Sequence, residues 1–494
     1  MATLGRLAVH ATNYSIVSVL VTIAGLISFP ILTRLMSVDD YGLMSLVALL
    51  LSLVIAIGKL GLQHAVLRFY SEVQAGKRAD MPTFVATAVL GMGLIGLLVT
   101  TAWAVATQLV PRSWWSDTRI PALLLLTSVL VLVRVVDSAW VNQLRAQERS
   151  AALAVYSVAR RYAVLGATLI TLFFISRSLW GFYVAIIVIE TLSLFALGVV
   201  MLRADPIYPS RFSPQLLRAM MAFGAPMIGT ELSSVLLAMG DRYVIQLYLG
   251  AEPLGVYAAA YNLCDYIKGI LFVSLTAAAL PMVLRTWEEH GADHTRQFLM
   301  KFFRIYFLVA FPAVAGIAAV SEELLSVLAS PRYREGAVVM PIIIAAMALE
   351  ALVVTAGAGL YIMKRTRTIL ALIAAAAVLS VGLNVLLVPR IGIEGAALAL
   401  LTGWAALAIG SFACGARYLV LAVPWHAAAK FGTLALVMYG VVHTIELQED
   451  AATLLARVIL GIIIYVAGVL LVDRAARLQA HQLMSRVSAW SRST

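Results

Sequence analysis

Of the 494 residues of this chain, 62% are hydrophobic and only 12% are charged. Soluble domains average about half apolar and about a quarter charged residues, so this composition excludes a soluble protein and indicates a polytopic membrane protein. The formal net charge of +11 would suit nucleic-acid binding, but in a membrane protein basic residues first of all orient the helices.

Apolar stretches follow one another along the chain with short connections between them. A helix of about twenty residues crosses the hydrocarbon core once, and the stretches predict about fourteen transmembrane helices. Their ranges are 11–32, 42–66, 83–110, 122–143, 152–175, 179–202, 217–249, 254–284, 298–320, 338–363, 369–388, 395–420, 427–445 and 451–472. The predicted fold class is therefore all-α.

Basic residues are distributed unevenly over the connections. With the N-terminus placed in the cytoplasm, the cytoplasmic connections carry clusters such as Lys77 and Arg78 or Lys364 and Arg365, and the opposite connections carry fewer. Cytoplasmic loops are enriched in Lys and Arg. The distribution predicts that both termini are cytoplasmic, and it explains the net charge without a nucleic-acid partner.

The chain repeats itself at an interval of a little over two hundred residues. Segments 30–42 and 243–255 each close a helix, form a short acidic turn and open the next helix with a glycine. Segments 140–145 and 359–364 each end a helix on a cation. The repeat predicts two six-helix lobes related by a pseudo-two-fold axis along the membrane normal, as in parallel-repeat transporters.

The repeat also sets the predicted domain boundaries. The connection between the lobes contains three prolines, and Ser213-Pro214 is a typical cap and first-turn pair for a new helix. The tail carries apolar residues near helical spacing with arginines between them, which is typical of a helix on a membrane surface. The predicted parts are an N-lobe (1–203), a cytoplasmic linker (204–216), a C-lobe (217–421), two appended helices (427–472) and an amphipathic tail (473–494).

Several kinds of chemistry have no motif in this sequence. A G-x-x-x-x-G-K-[ST] motif is missing, so the chain has no ATP-hydrolysing site of its own. No metal-ligand cluster occurs, and the connections are too short to hold an external catalytic site. We therefore expect neither an enzyme nor a protein that needs a cofactor or metal.

Charged residues within the predicted spans are the main candidates for function. Each costs roughly 2.5–3.5 kcal/mol at the centre of a lone helix, so the chain must pair them or place them against water. The basic members are Lys59, Arg68, Arg134, Arg160, Arg161, Arg242 and Lys268, and the acidic members are Asp137, Glu190, Glu231, Asp241, Asp265 and Glu350.

Spacing predicts which of these charges neutralise one another. Arg134 and Asp137, like Asp265 and Lys268, are three residues apart and share a helical face. The adjacent pair 160–161 has no acidic neighbour on its own helix, and Lys59 has none nearby. The unpaired remainder is basic, which favours an anionic cargo such as a phosphate or a sugar acid over a cationic drug.

Four segments resemble a known family. LTRLMSVDDYGLMS (32–45) and GLQHAVLRFY (61–70) resemble the opening of bacterial oligosaccharide flippases of the Wzx type. DRYVIQLYLG (241–250) and LGVYAAAY (254–261) resemble the start of that family's second half. These motifs point to the superfamily that also contains multidrug exporters and the peptidoglycan-precursor flippase, and within it they favour the polysaccharide branch.

The resemblance implies a function and candidate residues. It implies two lobes around a cavity that opens alternately to each side, and a cargo of undecaprenyl-diphosphate-linked oligosaccharide that moves from the inner to the outer leaflet of the bacterial cytoplasmic membrane. Its implied partners are that substrate, membrane lipids, and the polysaccharide polymerase and chain-length machinery. The candidate cavity residues are Lys59, Arg160, Arg161, Arg242 and Lys268.

Energy coupling and two rival functions stay open at this level. Membrane potential could drive and reset such a carrier, or an acidic residue such as Glu231, Glu350 or Asp265 could bind H⁺ or Na⁺. One rival is a multidrug or peptidoglycan-precursor exporter of the same superfamily. The other is a membrane glycan polymerase, which would need a sizeable external loop with polar catalytic residues.

Overall fold

The computed structural model describes residues 2–77, 79–111, 115, 117–276, 278–474 and 477, with the backbone alone for 2–16, 18 and 274. Within these ranges the regular structure is helical and no strand occurs, so the all-α prediction is confirmed. The predicted amphipathic tail lies outside the described residues apart from Asp473, Arg474 and Arg477.

Seventeen α-helices occur within the described ranges. The first nine are α1 (Ala2–Leu35), α2 (Val38–Lys59), α3 (Leu62–Gln74), α4 (Met81–Leu109), α5 (Ile120–Ala146), α6 (Ser150–Ile170), α7 (Leu179–Ala204), α8 (Pro214–Met239) and α9 (Asp241–Leu249). The others are α10 (Ala251–Lys268), α11 (Ser274–Thr276), α12 (Ala279–Leu328), α13 (Met340–Ala356), α14 (Ala358–Ile362), α15 (Thr366–Gly415), α16 (Trp425–Val442) and α17 (Asp450–Val472). Short π-helical turns follow α6 and α10, and 3₁₀ turns occur at Pro209–Arg211 and Pro331–Val338.

The predicted spans fall on these helices, although one span often corresponds to two helical pieces. In the described chain, nine helices are long and apolar enough to cross a membrane, or ten if Pro331–Val338 and Met340–Ala356 form one bent span. The long helices α12 and α15 contain kinks, at Gly291 and at Ile391 with Gly392, and α15 covers two predicted spans. The count of fourteen is consistent with these helices and stays a prediction.

The chain divides into two compact units. The first unit comprises residues 1–262 and 366–407, and the second unit comprises 263–365 and 408–494. In the first unit α5 packs against α2, α3, α4 and α7. In the second unit a buried apolar cluster joins α12, α16 and α17. The units group helices by packing and not by repeat, so the predicted lobe boundaries stay a prediction.

The two copies of the repeated turn pack against each other inside the first unit. A Cβ atom on Gly42 would lie 2.1 Å from the carbonyl oxygen of Ala251, and one on Gly255 would lie 2.0 Å from that of Val38. Gly42 corresponds to Gly255 in the repeat, and Val38 corresponds to Ala251. Each copy therefore makes the same contact with the other, which is the mark of a local two-fold axis.

A break between α2 and α3 positions the residues of the site. Leu60 and Gly61 both have positive φ, 46° and 69°, so the chain turns between the two helices. A Cβ atom on Gly61 would lie 2.1 Å from the carbonyl oxygen of Gly224 in α8. Glycine is needed here both for the backbone conformation and for the close approach of α8.

The start of α8 follows the sequence signal closely. The Ser213 hydroxyl accepts a hydrogen bond from the Leu216 amide at 3.3 Å, and Pro214 is the first helical residue. The Ser213 amide donates to the Thr87 hydroxyl at 3.0 Å, and Arg211 pairs with Asp80 at 3.1 Å. These contacts attach the linker to the start of α4, so the predicted cap is confirmed.

Candidate functional site

A cavity of about 690 Å³ lies inside the first unit, between α2, α3, α5, α6 and α8. Its lining includes hydroxyl and amide side chains (Ser138, Asn142, Thr230, Ser234 and Gln63). Its charged lining residues are Lys59, Arg134, Arg145, Arg160, Asp137 and Glu231. Four cations and two carboxylates therefore face one cavity whose other lining residues are polar or apolar and include His64.

Lys59 and Glu231 form the pair closest to the helix break. The Lys59 ammonium lies 3.4 Å from Glu231 Oε1, and the two side chains are 24% and 26% exposed. The Gln63 amide donates to Glu231 Oε2 at 2.5 Å. Because Lys59 ends α2 and Gln63 lies in the first turn of α3, the break directs both side chains toward one carboxylate on α8.

Arg134 of α5 forms a two-pronged ion pair with Glu190 of α7. Its Nε and one terminal nitrogen lie 2.8 and 3.0 Å from the two carboxylate oxygens of Glu190, which is buried. The Arg134 guanidinium thus donates to both oxygens of one carboxylate, and such a bidentate ion pair is stronger than a single contact. The predicted pair of Arg134 with Asp137 is wrong, because a better-oriented carboxylate comes from the neighbouring helix.

Asp137 instead binds Arg160 and Tyr156 of α6. Arg160 lies 2.5 Å from one carboxylate oxygen, and the Tyr156 hydroxyl donates to the other. The Arg160 guanidinium also lies 5.8 Å from the centre of the Tyr156 ring. Sequence reasoning noted that helix α6 offers Arg160 no acid, and the structure supplies one from α5.

Arg145 and Arg134 line the cavity but were not among the predicted site residues. Arg145 lies one turn from Asn142, whose amide oxygen accepts a hydrogen bond from it at 3.3 Å. The sequence analysis treated Arg145 as the cation that ends segment 140–145, and it placed Arg134 in a pair with Asp137. The signal that could have found them is their spacing, since residues 134, 138, 141, 142 and 145 share one face of α5.

Two predicted cavity residues lie elsewhere in the first unit. Arg161 is exposed, makes no ion pair with a described residue and is not among the lining residues of the cavity. Arg242 is only 2% exposed and lies against Asp241 at 3.2 Å, the Ser45 hydroxyl at 2.8 Å and the face of Tyr261. Arg242 thus joins α9 to α2 and α10 and does not line the cavity.

Lys268 and two predicted ion-coupling residues come together in the second unit. The Lys268 ammonium lies 2.7 Å from Asp265 and 3.2 Å from Glu350. The predicted pairing of Asp265 with Lys268 is therefore confirmed, and Glu350 of α13 joins it. One ammonium between two carboxylates leaves a local negative charge, which is the kind of arrangement that could take up a cation.

A buried arginine that was not among the predicted site residues connects several parts of the second unit. Arg457 of α17 pairs with Glu323 at 2.9 Å and donates to the carbonyl oxygens of Ala319 and Ile445. These contacts join α17 to α12 and to the connection after α16. Such a side chain is structural, since its donors are used by fixed backbone acceptors.

In the part of the chain that the structure describes, no group of three or more His, Cys, Asp or Glu residues could hold a metal ion.

Outside the spans, Asp117 binds Arg119, whose guanidinium lowers the pKa of that carboxyl below its usual range. Arg119 also contacts Asp40 at 2.7 Å. This network links the residues before α5 to the first turn of α2, and none of its members lines the cavity.

The sequence profile of a family described as "Polysaccharide biosynthesis protein" matches residues 31–338, more than half of the chain. The chain belongs to this family. The match covers α2–α12 and therefore includes every helix that lines the cavity. No curated protein matches the sequence significantly.

Solved structures with the same fold are membrane transporters by their titles. The structure titled "Lipid II flippase MurJ, inward closed conformation" superposes with a TM-score of 0.79 at 15% identity, covering 94% of this chain and 99% of that one. Inward-facing and outward-facing structures of a multidrug resistance MATE family transporter of the MOP superfamily have TM-scores of 0.60 and 0.57, identities of 14% and 13%, and cover 80% and 83% of this chain and 97% and 94% of theirs.

These comparisons establish the fold and the family. The chain is a multi-pass membrane protein of a polysaccharide biosynthesis family, with the architecture of flippases and exporters. The expectation that it is a transporter and not an enzyme agrees with the titles of these structures.

Proposed function

We propose that this protein is a flippase that moves undecaprenyl-diphosphate-linked oligosaccharide repeat units from the inner to the outer leaflet of the bacterial cytoplasmic membrane. The observation that carries the proposal is the cavity lined by Lys59, Arg134, Arg145 and Arg160. The diphosphate would contact these cations, the sugars would contact the hydroxyl and amide groups beside them, and the polyprenyl tail would stay in lipid. Family membership in polysaccharide biosynthesis favours this cargo over others.

The net charge of the cavity is positive, which fits an anionic cargo. The net charge is small, because carboxylates of the protein neutralise most of the cations. Three carboxylates, Asp137, Glu190 and Glu231, pair with three of the four cations among the described residues. The surplus is therefore about one positive charge. The arginines suit a phosphate because their planar donors match its oxygens, and the lysine adds a compact charge.

Alternating access would carry the headgroup across. Relatives of the same fold are titled inward-facing and outward-facing, which supports a rocking motion in this chain as well. With the cytoplasm negative, outward movement of one negative charge gains about 2.3 kcal/mol per 100 mV. The excess of basic residues on the predicted cytoplasmic connections supports a topology with both termini inside the cell.

Ion coupling is a second route for the energy input. Glu231 faces the cavity, and Asp265 with Glu350 surrounds Lys268. If transport into vesicles persists after both the membrane potential and the ion gradients are collapsed, neither scheme holds. If it requires only the potential, these three acids are not coupling residues.

The rival functions give different results in one cellular measurement. Cells that lack a flippase accumulate lipid-linked single repeat units on the inner leaflet, whereas cells that lack a polymerase accumulate them on the outer leaflet. A multidrug exporter would change neither pool. Mass spectrometry of lipids that co-purify with the protein would identify the headgroup, and a peptidoglycan precursor there would overturn the polysaccharide assignment.

Substitution of Arg160 by glutamine tests the cavity directly. A hydrogen bond to a charged group contributes about 1.5–3 kcal/mol, so we expect Arg160→Gln to lower transport roughly 10- to 100-fold. The measurement is translocation of the lipid-linked substrate in proteoliposomes. Arg285→Gln is the matched control, because Arg285 is an exposed cation that pairs with Glu289 on its own helix.

The control for folding is the double variant Arg160→Gln with Asp137→Asn. It removes both charges of the pair, so no carboxylate is left without its partner. We expect it to regain the thermal stability of the wild type and to stay defective in transport. Recovery of transport in the double variant would contradict a role of Arg160 in binding the substrate.

A further inference from the structure

Three of the four cavity cations contact a carboxylate of the protein itself. Lys59, Arg134 and Arg160 each contact a carboxylate at 3.4, 2.8 and 2.5 Å. A diphosphate that binds to any of these three cations must therefore compete with a carboxylate of the protein. The three pairs differ in how easily this can happen.

Glu231 is the carboxylate that a phosphate can displace most readily. Its contact with Lys59 is the longest of the three, and both side chains are about one quarter exposed. Glu190 and Asp137 are nearly buried, and each accepts two hydrogen bonds from strong donors. Water-exposed ion pairs are weak compared with buried ones.

Glu231 also differs from the other two carboxylates in the helices that its ion pair connects. Arg134 with Glu190 and Arg160 with Asp137 join helices of the first 203 residues, whereas the Lys59–Glu231 pair joins α2 to α8, beyond the linker. Gln63 adds a second bond from α3 to the same carboxylate. Two helical turns earlier in α8, Gly224 makes the close backbone contact with Gly61.

The side-chain carbonyl oxygen of Gln63 can accept a hydrogen bond from an incoming ligand. Gln63 is 9% exposed and lines the cavity, and its Oε1 has no hydrogen-bond partner in the described structure. A sugar hydroxyl could donate to that oxygen. The same short segment would then hold both a phosphate, at Lys59, and a neighbouring sugar.

Resting on the proposed function, we propose that Glu231 is an internal substitute for the substrate's phosphate. Without substrate, Glu231 pairs with Lys59 and so links α2 and α3 to α8. The phosphate replaces Glu231 at Lys59, so binding of the headgroup breaks this link. Glu231 is thus a positioning residue that sets the affinity for the headgroup and its release.

Binding of farnesyl diphosphate to the full-length protein in nanodiscs tests the proposal. This soluble probe carries the prenyl diphosphate without sugars. Removal of the competitor in Glu231→Gln should tighten binding about tenfold, and Lys59→Gln should weaken it at least tenfold. The double variant should bind like Lys59→Gln, because Glu231 acts through Lys59.

Glu231→Asp separates displacement from the general field of the cavity. Aspartate keeps the negative charge but is one methylene shorter, so it weakens the contact with Lys59. Displacement predicts tighter binding in Glu231→Asp as well, whereas a field effect predicts no change. Glu322→Gln is the matched control, since Glu322 is an exposed partner of Arg334 in the second unit, and it should bind like the wild type.

Transport measurements separate displacement from a purely structural role of Glu231. A purely structural role would not combine tighter binding with slower turnover. Glu231→Gln should bind more tightly and yet turn over more slowly, because nothing displaces the phosphate from Lys59 at release. The proposal is overturned if Glu231→Gln tightens binding equally in the Lys59→Gln background, or if Glu231→Asp binds like the wild type. If the wild type binds no prenyl diphosphate, the proposed function fails first and this inference falls with it.

Discussion

Replacement of Arg242 by methionine should lower the free energy of unfolding by about 3–5 kcal/mol. Methionine has a similar length but cannot neutralise Asp241, which is 3% exposed and accepts a hydrogen bond from the Tyr257 hydroxyl. The variant would leave a buried carboxylate without its cation and the Ser45 hydroxyl without its donor. Thermal or denaturant unfolding in detergent measures the loss.

A double variant identifies the cause of this loss. Arg242→Met with Asp241→Asn removes both charges, and a neutral buried pair can be as stable as an ionic one. We expect it to regain at least half of the lost stability. If Arg242→Met kept the stability of the wild type and lost only substrate binding, Arg242 would be a substrate residue, as the family resemblance implies, and the structural role argued here would be wrong.

The sequence was sufficient to predict the membrane class and the helical fold. Hydrophobic length alone marks a spanning helix because the bilayer has a fixed thickness. Local signals such as Ser213-Pro214 were also accurate, since a cap and its helix are neighbours in the chain. The breaks were harder to predict. The turn at Leu60 and Gly61 interrupts an apolar run that reads as one helix.

Apart from Arg145, the charged residues of the cavity were among the charges that the sequence singled out, but most of their partners were not predicted. Spacing correctly paired Asp265 with Lys268, because both lie on one helical face. The same rule failed for Arg134, whose partner Glu190 is 56 residues away on another helix. A helical period tells which residues share a face, but it does not tell which neighbouring helix that face meets.

Which residues line the cavity also depends on which helices are neighbours, and helical periodicity does not supply that information. Arg160 and Arg161 are adjacent and were equivalent in sequence, yet only Arg160 lines the cavity. Successive residues of a helix point about 100° apart, so one of two neighbours can face the interior while the other faces away. Arg145 was overlooked because its place near a helix end resembles an orientation signal.

Gly255→Ala should destabilise the protein, although alanine is the better helix former. Gly255 lies in α10, where the new methyl group would lie 2.0 Å from the carbonyl oxygen of Val38. No real Cβ atom tolerates that distance, so the repeated turns must separate, at a cost of roughly 1–3 kcal/mol or more. Gly93→Ala in α4 makes the same change with no atom within 4 Å, and it should raise stability by up to about 1 kcal/mol.

The reciprocal contact makes a sharper prediction for two substitutions together. Gly42 meets Ala251 in the same way that Gly255 meets Val38, so both glycines allow one approach between one pair of turns. Once Gly255→Ala has separated the turns, Gly42→Ala should add little. Unfolding measurements on both single variants and the double variant should therefore give a loss clearly smaller than the sum. Additive losses would mean that each turn relaxes by itself and that the two-fold contact does not act as one interface.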